Sequence, residues 1–415
     1  MADSTPLRLA LADCRRLLSV RGEANGPMLA LAIVHRIEAL DDTQRVRFFD
    51  RLASDFSPDP QAVLQAAQAY AAEPDATRLI RLTRLAEPPR QELFRRLNGA
   101  PGGTAALVRL RRALLEKLPR QPQWLAVEAD LLHLLSSWFN PGFLEMRKVD
   151  WNSPAQLLEQ IIRHEAVHQI DGWDDLRRRL QPDRRCFAFF HPQLQGEPLI
   201  FVEVALLTEM AGAIAPLIDK RSQPLAPEQF KVAVFYSISN CQPGLRNVSL
   251  GNFLIKRVAE HLKRELPQLK TFCTLSPIPG LMAWLQRVEA DALGEAAQAL
   301  VLLRERCGGD LGVLAHAARG PSLDGPAHHA LWRLAAHYLV HVSPLPHGDP
   351  VARFHLDNGA RLERLNASAN QSANGLKQSA GLMVNYLYDL NKIEKHHDHF
   401  AHGKVAHSRA VSALL

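Results

Sequence analysis

The sharpest spacing in the chain is His164-Glu165-Ala166-Val167-His168. On a helix, histidines four apart share a face, and with the intervening glutamate they would supply two zinc ligands and a general base. A catalytic zinc needs a third protein ligand, however, and Asp171-Gly172 breaks the helical pattern before one appears. With 18 histidines in the chain a chance match is expected, and the segment reads more simply as a polar helix end. A second cluster, His396, His397, His399, His402 and His407, is interleaved with Lys392, Glu394, Lys395 and Asp398 and reads as the solvated face of a last helix. A third stretch, from Gln242 through Arg246-Asn247-Val248-Ser249-Leu250-Gly251-Asn252 to Leu254, is a polar loop ahead of a helical pattern. Successive backbone N–H groups there suit an anion, although neither the Gly-Lys-Ser/Thr of a Walker loop nor a GxGxxG fingerprint is present.

These residues need elements to hold them. Up to about residue 140 the apolar spacing is helical throughout. Asp42 and Thr43 precede Val46, Phe49 and Leu52, while Asp59 with Pro60 opens a run through Val63 and Leu64. Thr104 is placed to cap a helix through Leu107, Leu110, Leu114 and Leu118, with Arg109, Arg111 and Lys117 outward; Trp124 to Phe139 is amphipathic. An antiparallel bundle follows, with no titratable cluster and no repeat period. Near Asn140 to Trp151 a proline and a glycine interrupt this pattern and β-formers take over. Cys186 to Phe190 and Leu199 to Leu206 read as antiparallel strands around Gly196-Glu197-Pro198. Val232 to Ser239, the polar loop, a helix with Phe253, Leu254, Val258, His261 and Leu262 on one face, and Thr271 to Ser276 make a β-α-β unit. Gly280 to Arg306 and Pro326 to Val342 look helical, Ser343 to Pro350 a loop, and Phe354 to Leu365 a strand.

Composition narrows the function classes. The 415 residues are 47% hydrophobic and 22% charged, which excludes wholesale disorder and leaves room for two or three cores. A surplus of 49 basic over 43 acidic residues would suit an anionic small molecule, and the basic residues are scattered singly, unlike a nucleic-acid binder. The one apolar 20-residue stretch, Leu199 to Ile218, carries Glu203 and Glu209, against a membrane span. Five cysteines without a CxxC spacing, and an amino terminus without a basic and then apolar run, predict a cytoplasmic protein.

The loop resembles the pyrophosphate loop of the GNAT acyltransferase fold, in which Arg/Gln-x-x-Gly-x-Gly/Ala cradles coenzyme A, with Ser249 replacing the first glycine of Arg246-Asn-Val-Ser249-Leu-Gly251. Its neighbours are more specific. Phe235-Tyr-Ser-Ile-Ser239, Leu250 to Val258, Leu275-Ser-Pro-Ile-Pro-Gly280, Phe354-His-Leu-Asp-Asn-Gly-Ala360 and Gly381-Leu-Met-Val-Asn-Tyr386 together resemble the malonyl-CoA decarboxylase family. So do Glu165-Ala-Val-His168, Arg184-Arg185-Cys186 and Gly196-Glu-Pro-Leu199, all in order from about Phe139 to the end of the chain. The resemblance implies an α+β protein: a helical domain over 1–140 that packs or oligomerises, then a GNAT-like mixed-sheet α/β catalytic domain over 141–415.

It further implies a decarboxylase converting malonyl-CoA to acetyl-CoA and CO2 without a metal or organic cofactor, in a homo-oligomer, dimer or tetramer. The serine and histidine of that family's LSPIPG and FHLxNGA motifs fall on Ser276 and His355, with Ser237 and Tyr388 in support. Arg246, Asn247, Val248, Ser249, Gly251 and Asn252 would hold coenzyme A. Animal members carry a glutamate where this chain has Ser249, so no role of that carboxylate transfers, and Asn247 replaces a glycine. Chemically, decarboxylation leaves a thioester enolate, so the site must stabilise an oxyanion and return a proton to carbon; His355 is expected to titrate near neutrality for that purpose. The competing readings are an acyl-CoA N-acyltransferase on the same fold, for which no acceptor site is recognisable, a zinc protease on the HExxH segment, and an inactive coenzyme A sensor.

Overall fold

The computed structural model describes residues 4–19, 25–248, 250, 254–316 and 325–415. Ser249, Gly251 and Asn252, expected to touch coenzyme A, and Phe253 on the helix face after them lie outside the described residues. By packing, the chain divides into two units. The first joins Met1–Glu145 to the segments Phe189–Leu199 and Cys241–Leu250; the second holds Met146–Ala188, Ile200–Asn240 and Gly251–Leu415.

The first unit contains α1 (Thr5–Leu18), α2 (Gly26–Glu38), α3 (Asp42–Ser54), α4 (Pro60–Ala72), α5 (Ala76–Ala86), α6 (Pro89–Asn98), α7 (Gly103–Lys117) and α8 (Leu125–Trp138). Their starts have local causes. Asp41 accepts from Gln44 N in a reciprocal capping box, and Asp59 accepts from Gln61 N ahead of Pro60. α7 begins differently from expectation: its cap is Gly102, at φ 73°, and Thr104 is buried inside the helix, donating to Asn98 Oδ1. Leu7, Ile33, Phe48, Phe49, Leu93, Phe94, Leu107, Leu114, Trp124 and Leu131 form its core, each at most 2% exposed.

The chain continues through β1 (Glu145–Val149), α9 (Ala155–His164), α10 (Gly172–Arg179), β2 (Arg184–Phe190), β3 (Pro198–Leu207), α11 (Ala215–Ile218), β4 (Val232–Asn240), α12 (Leu254–Glu265), β5 (Thr271–Thr274) and β6 (Ser276–Pro277). It closes with α13 (Leu281–Leu285), α14 (Ala297–Arg306), α15 (Gly325–His337), α16 (Pro350–Asp357), β7 (Arg361–Asn366), α17 (Ala373–Ser379), β8 (Met383–Leu387), α18 (Ile393–Ala401) and α19 (Arg409–Ser412). The strands make a mixed sheet in the order β1-β2-β3-β4-β5-β8-β6, with β7 also on β8. β3 runs antiparallel to β4, and β4 parallel to β5 with Val232 opposite Thr271 and Phe235 opposite Thr274. The parallel pair joined through α12 is the expected β-α-β unit, and α12 buries Leu254, Ile255, Val258, Ala259 and Leu262, leaving His261 half-buried.

The expected strand Thr271 to Ser276 is broken at Leu275. β5 follows β4 only as far as Thr274; Ser276 then pairs with Val384 of β8, while β4 continues along β3 to Asn240. The expected strand Phe354 to Leu365 is corrected to a helix and then a strand. Asp349 accepts from Val351 N and Ala352 N with Pro350 in the first turn, the same Asp-Pro start as α4, so Phe354 and His355 fall on α16 and only β7 is extended. The histidine-rich α18 is followed by α19 and is not the last helix.

Candidate active site

Ser276 sits where β6 begins, 5% exposed, between Leu275 and Pro277. Its Oγ lies 2.9 Å from Thr274 Oγ1 and 3.0 Å from His355 Nε2. His355, in the last turn of α16, is 3% exposed; its Nδ1 lies 2.8 Å from Tyr388 Oη and its ring stacks on Tyr386, centroids 4.7 Å apart. Three of the four expected catalytic residues therefore form one buried chain, Ser276 to His355 to Tyr388. Both ring nitrogens are held, which fixes the plane of the imidazole.

Burial pushes the His355 pKa down to about 3 and those of Tyr386 and Tyr388 well above the phenolic value of 10.0. His355 is thus a neutral imidazole in the free protein, contrary to the expectation that it titrates near neutrality. The cause is desolvation, and the ring's hydrogen-bond partners among the described residues are two hydroxyls, Ser276 and Tyr388, which distinguishes it from the histidine of a charged triad.

The turn after Ser276 is tied to the helix that carries His355. Asp349, fully buried at the start of α16, accepts from Gly280 N at 2.9 Å as well as from Val351 N and Ala352 N. A Cβ at Gly280 would meet Tyr338 Oη at 2.1 Å, so that position admits no side chain. Asn385 donates to Thr274 O at 2.7 Å, and Tyr386 N donates to Thr274 Oγ1, locking β8 to the strand end below Ser276. Spacing alone marks none of Asp349, Asn385, Thr274 or Tyr386 as part of the site. For Asp349 a signal existed in the Asp-Pro dipeptide, and for Asn385 and Tyr386 in the motif around them.

Ser237 is apart from this chain. It is 2% exposed on β4, its hydroxyl 2.7 Å from each oxygen of Glu165. Glu165 also accepts from Ser239 Oγ, Val167 N and His168 N. This corrects the zinc geometry. α9 ends at His164 and Glu165 is its C-cap with φ −64° and ψ 110°, so the two histidines share no helical face and the glutamate is an acceptor of hydroxyl and backbone donors. His168 is 7% exposed, and burial lowers its pKa to about 4. Among the described residues no three His, Cys, Asp or Glu side chains are gathered as metal ligands would be.

The described part of the loop is a tight 3-10 turn, Pro243–Leu245, and its continuation. Leu245 N, Arg246 N and Val248 N donate to Gln242 O, Pro243 O and Leu245 O, so these three N–H groups serve the loop's own turns. Arg246 and Asn247 are exposed and Val248 is buried. Asn247 has φ 65°, the left-handed region where glycine is freest and asparagine the best tolerated alternative, which explains how it takes the place of a glycine.

Where the parallel strands β4 and β5 part after Thr274, the mixed sheet thus carries a buried hydroxyl, imidazole and phenol in series, groups whose chemistry suits proton exchange in an α+β protein. The comparisons name the kind. Residues 142–415 match the model of the malonyl-CoA decarboxylase C-terminal domain and residues 56–139 that of its N-terminal domain. The crystal structure of malonyl-CoA decarboxylase from Rhodopseudomonas palustris is 45% identical and superposes with a TM-score of 0.88 over 98% of this chain and 99% of that one. The mitochondrial malonyl-CoA decarboxylase of Rattus norvegicus is 35% identical over 84% of this chain and 77% of its own length, and that of Anser anser anser 36% over 73% and 64%. The chain belongs to the malonyl-CoA decarboxylase family, and spans about two thirds of the length of the goose relative.

Proposed function

We propose that this chain decarboxylates malonyl-CoA to acetyl-CoA and CO2, with Ser276 and His355 as the catalytic pair, Tyr388 and Ser237 in support, and no metal or organic cofactor. The observation that carries this reading is the Ser276 Oγ to His355 Nε2 contact of 3.0 Å inside a family match covering residues 142–415. The thioester itself is the electron sink. Its oxygen accepts a hydrogen bond from Ser276 while the bond between Cα and the carboxylate breaks, leaving the electron pair in the enolate and releasing CO2.

The proton comes through His355. In the free site the imidazole has no counter-charge and is neutral. The malonyl carboxylate supplies that charge on binding and raises the pKa, so the ring takes up one proton from solvent with the substrate. Loss of CO2 removes the counter-charge, the pKa falls back, and the proton moves to Cα, giving acetyl-CoA and neutral imidazole. One proton is consumed per turnover.

Coenzyme A is assigned to Arg246, Asn247, Val248, Ser249, Gly251 and Asn252, with the exposed Arg246 side chain towards phosphate and Val248 as a buried anchor. We further propose that residues 1–140 act as a packing and oligomerisation domain and residues 141–415 as the catalytic domain, in a dimer or tetramer. The cytoplasm is the proposed location: the five cysteines are free and buried, as a reducing compartment allows, and no described helix is long and apolar enough to cross a membrane.

The test is product analysis with malonyl-CoA and no amine. Stoichiometric CO2 and acetyl-CoA are expected, with turnover falling at least a hundredfold in both Ser276→Ala and His355→Asn (about 10²-fold or more for an acid–base residue) and coenzyme A binding retained. Absence of acetyl-CoA from the unmutated protein would overturn the assignment and send the search to amine acceptors.

A further inference from the structure

The helical domain was expected to carry no chemistry, and Arg111 was expected to face outward on α7. Instead the Arg111 side chain is 0% exposed. It forms a two-point pair with Glu128 of α8, Nε to Oε2 at 3.0 Å and Nη2 to Oε1 at 2.7 Å. Two further donors go to the loop: Nη1 to Gly244 O at 2.7 Å and Nη2 to Arg246 O at 2.8 Å. α7 approaches this loop so closely that a Cβ at Gly244 would meet Val108 O at 2.0 Å.

We infer that Arg111, held by Glu128, is a positioning residue for coenzyme A, setting the loop so that Arg246 and Asn247 face outward. This rests on the coenzyme A assignment made above. Two carbonyl oxygens of the loop, Gly244 O and Arg246 O, are gathered onto one guanidinium, which turns these two acceptors inward, away from where they would repel phosphate. One of them belongs to Arg246, so the backbone of the very residue whose side chain is exposed for phosphate is fixed from below. Leu245 and Val248, 1% and 7% exposed, anchor the same underside.

The contribution is geometric. Glu128 neutralises Arg111, so the buried charge adds little to the field outside. The arrangement also needs a guanidinium: four hydrogen bonds in two directions from one planar group exceed what a lysine ammonium with three donors can supply. Without Arg111 the carbonyls of Gly244 and Arg246 lose a charged donor in a water-poor place, and the loop has reason to turn.

The measurement compares wild type, Arg111→Lys, Arg111→Met and Glu128→Gln on two substrates, malonyl-CoA and malonyl-pantetheine, which lacks the diphosphate and nucleotide, together with calorimetric binding of coenzyme A. For the Arg111 variants KM for malonyl-CoA and Kd for coenzyme A are expected to rise about tenfold or more, the loss of one charge-assisted hydrogen bond. Their kcat, and kcat/KM for malonyl-pantetheine, should stay within about twofold. Glu128→Gln, which keeps the guanidinium and its two carbonyl contacts, should show a smaller rise of the same kind and serves if the Arg111 variants fail to fold. Equal losses on both substrates, or none on either, would overturn the inference. A wild type that binds coenzyme A without decarboxylating malonyl-CoA would sink the function while the binding comparison still decides Arg111. A wild type that fails to bind coenzyme A would overturn both.

Discussion

At the residue scale, Glu165 shows how far a motif can mislead. Its place in His-Glu-x-x-His suggests a base beside zinc, yet its carboxylate accepts from Ser237, Ser239, Val167 N and His168 N while 7% exposed. Val167 N and His168 N only donate, so an amide in place of the carboxylate keeps its oxygen on them and turns its NH2 to the Ser237 and Ser239 hydroxyls, which must reverse from donors to acceptors. Glu165→Gln is expected to lower stability by about 2 kcal/mol, the order of a buried charged acceptor's hydrogen bonds, read from chemical denaturation. The metal content of the purified protein should be unchanged. An undiminished midpoint, or zinc lost with the mutation, would contradict the assignment.

At the element scale, the site depends on α16 and the turn after β6 being one piece. Asp349 caps the helix carrying His355 and also receives Gly280 N from the turn carrying Ser276, so a single carboxylate sets the spacing of the pair. Gly280→Ala would drive a methyl against Tyr338 Oη and separate the two. A cost of about 1–3 kcal/mol, typical of overpacking, is expected together with a fall in kcat. Adding Tyr338→Phe removes the obstructing oxygen and should recover most of both losses. Failure of the double variant to recover would place the glycine's role in the backbone alone.

At the scale of the whole molecule, two buried histidines link folding to pH. His355 and His168 are held neutral, with pKa values of about 3 and 4 against 6.5 when unfolded. Between those values the unfolded chain binds more protons than the native one, so stability conferred by each neutral ring is complete above pH 6.5 and is lost as pH falls. The slope approaches about 1.4 kcal/mol per pH unit per group. Chemical denaturation between pH 7 and 4 should therefore give a shallower acid loss for His355→Asn than for wild type, and parallel curves would contradict the burial assigned to that ring. Buried Cys14 and Cys273, their pKa values pushed to about 12, stay protonated thiols across this range.

What the sequence determined by itself is what local patterning encodes. The helical first third, the strands around Gly196, the β-α-β unit and the caps at Asp59 followed from apolar period and turn residues, because those signals act within a few positions. Ser276, His355 and Tyr388 were legible through motifs lying far apart in the chain. Their union at 3.0 and 2.8 Å was not, since it needs β6 to leave β5 at Leu275 and α16 to carry His355. The neutrality of His355 is likewise tertiary, because burial without a counter-charge belongs to no residue in particular. Arg111 is the plainest case: by period it lies on the polar side of α7, and only the return of the chain at Gly244 and Arg246, more than 130 positions later, supplies the acceptors that bury it.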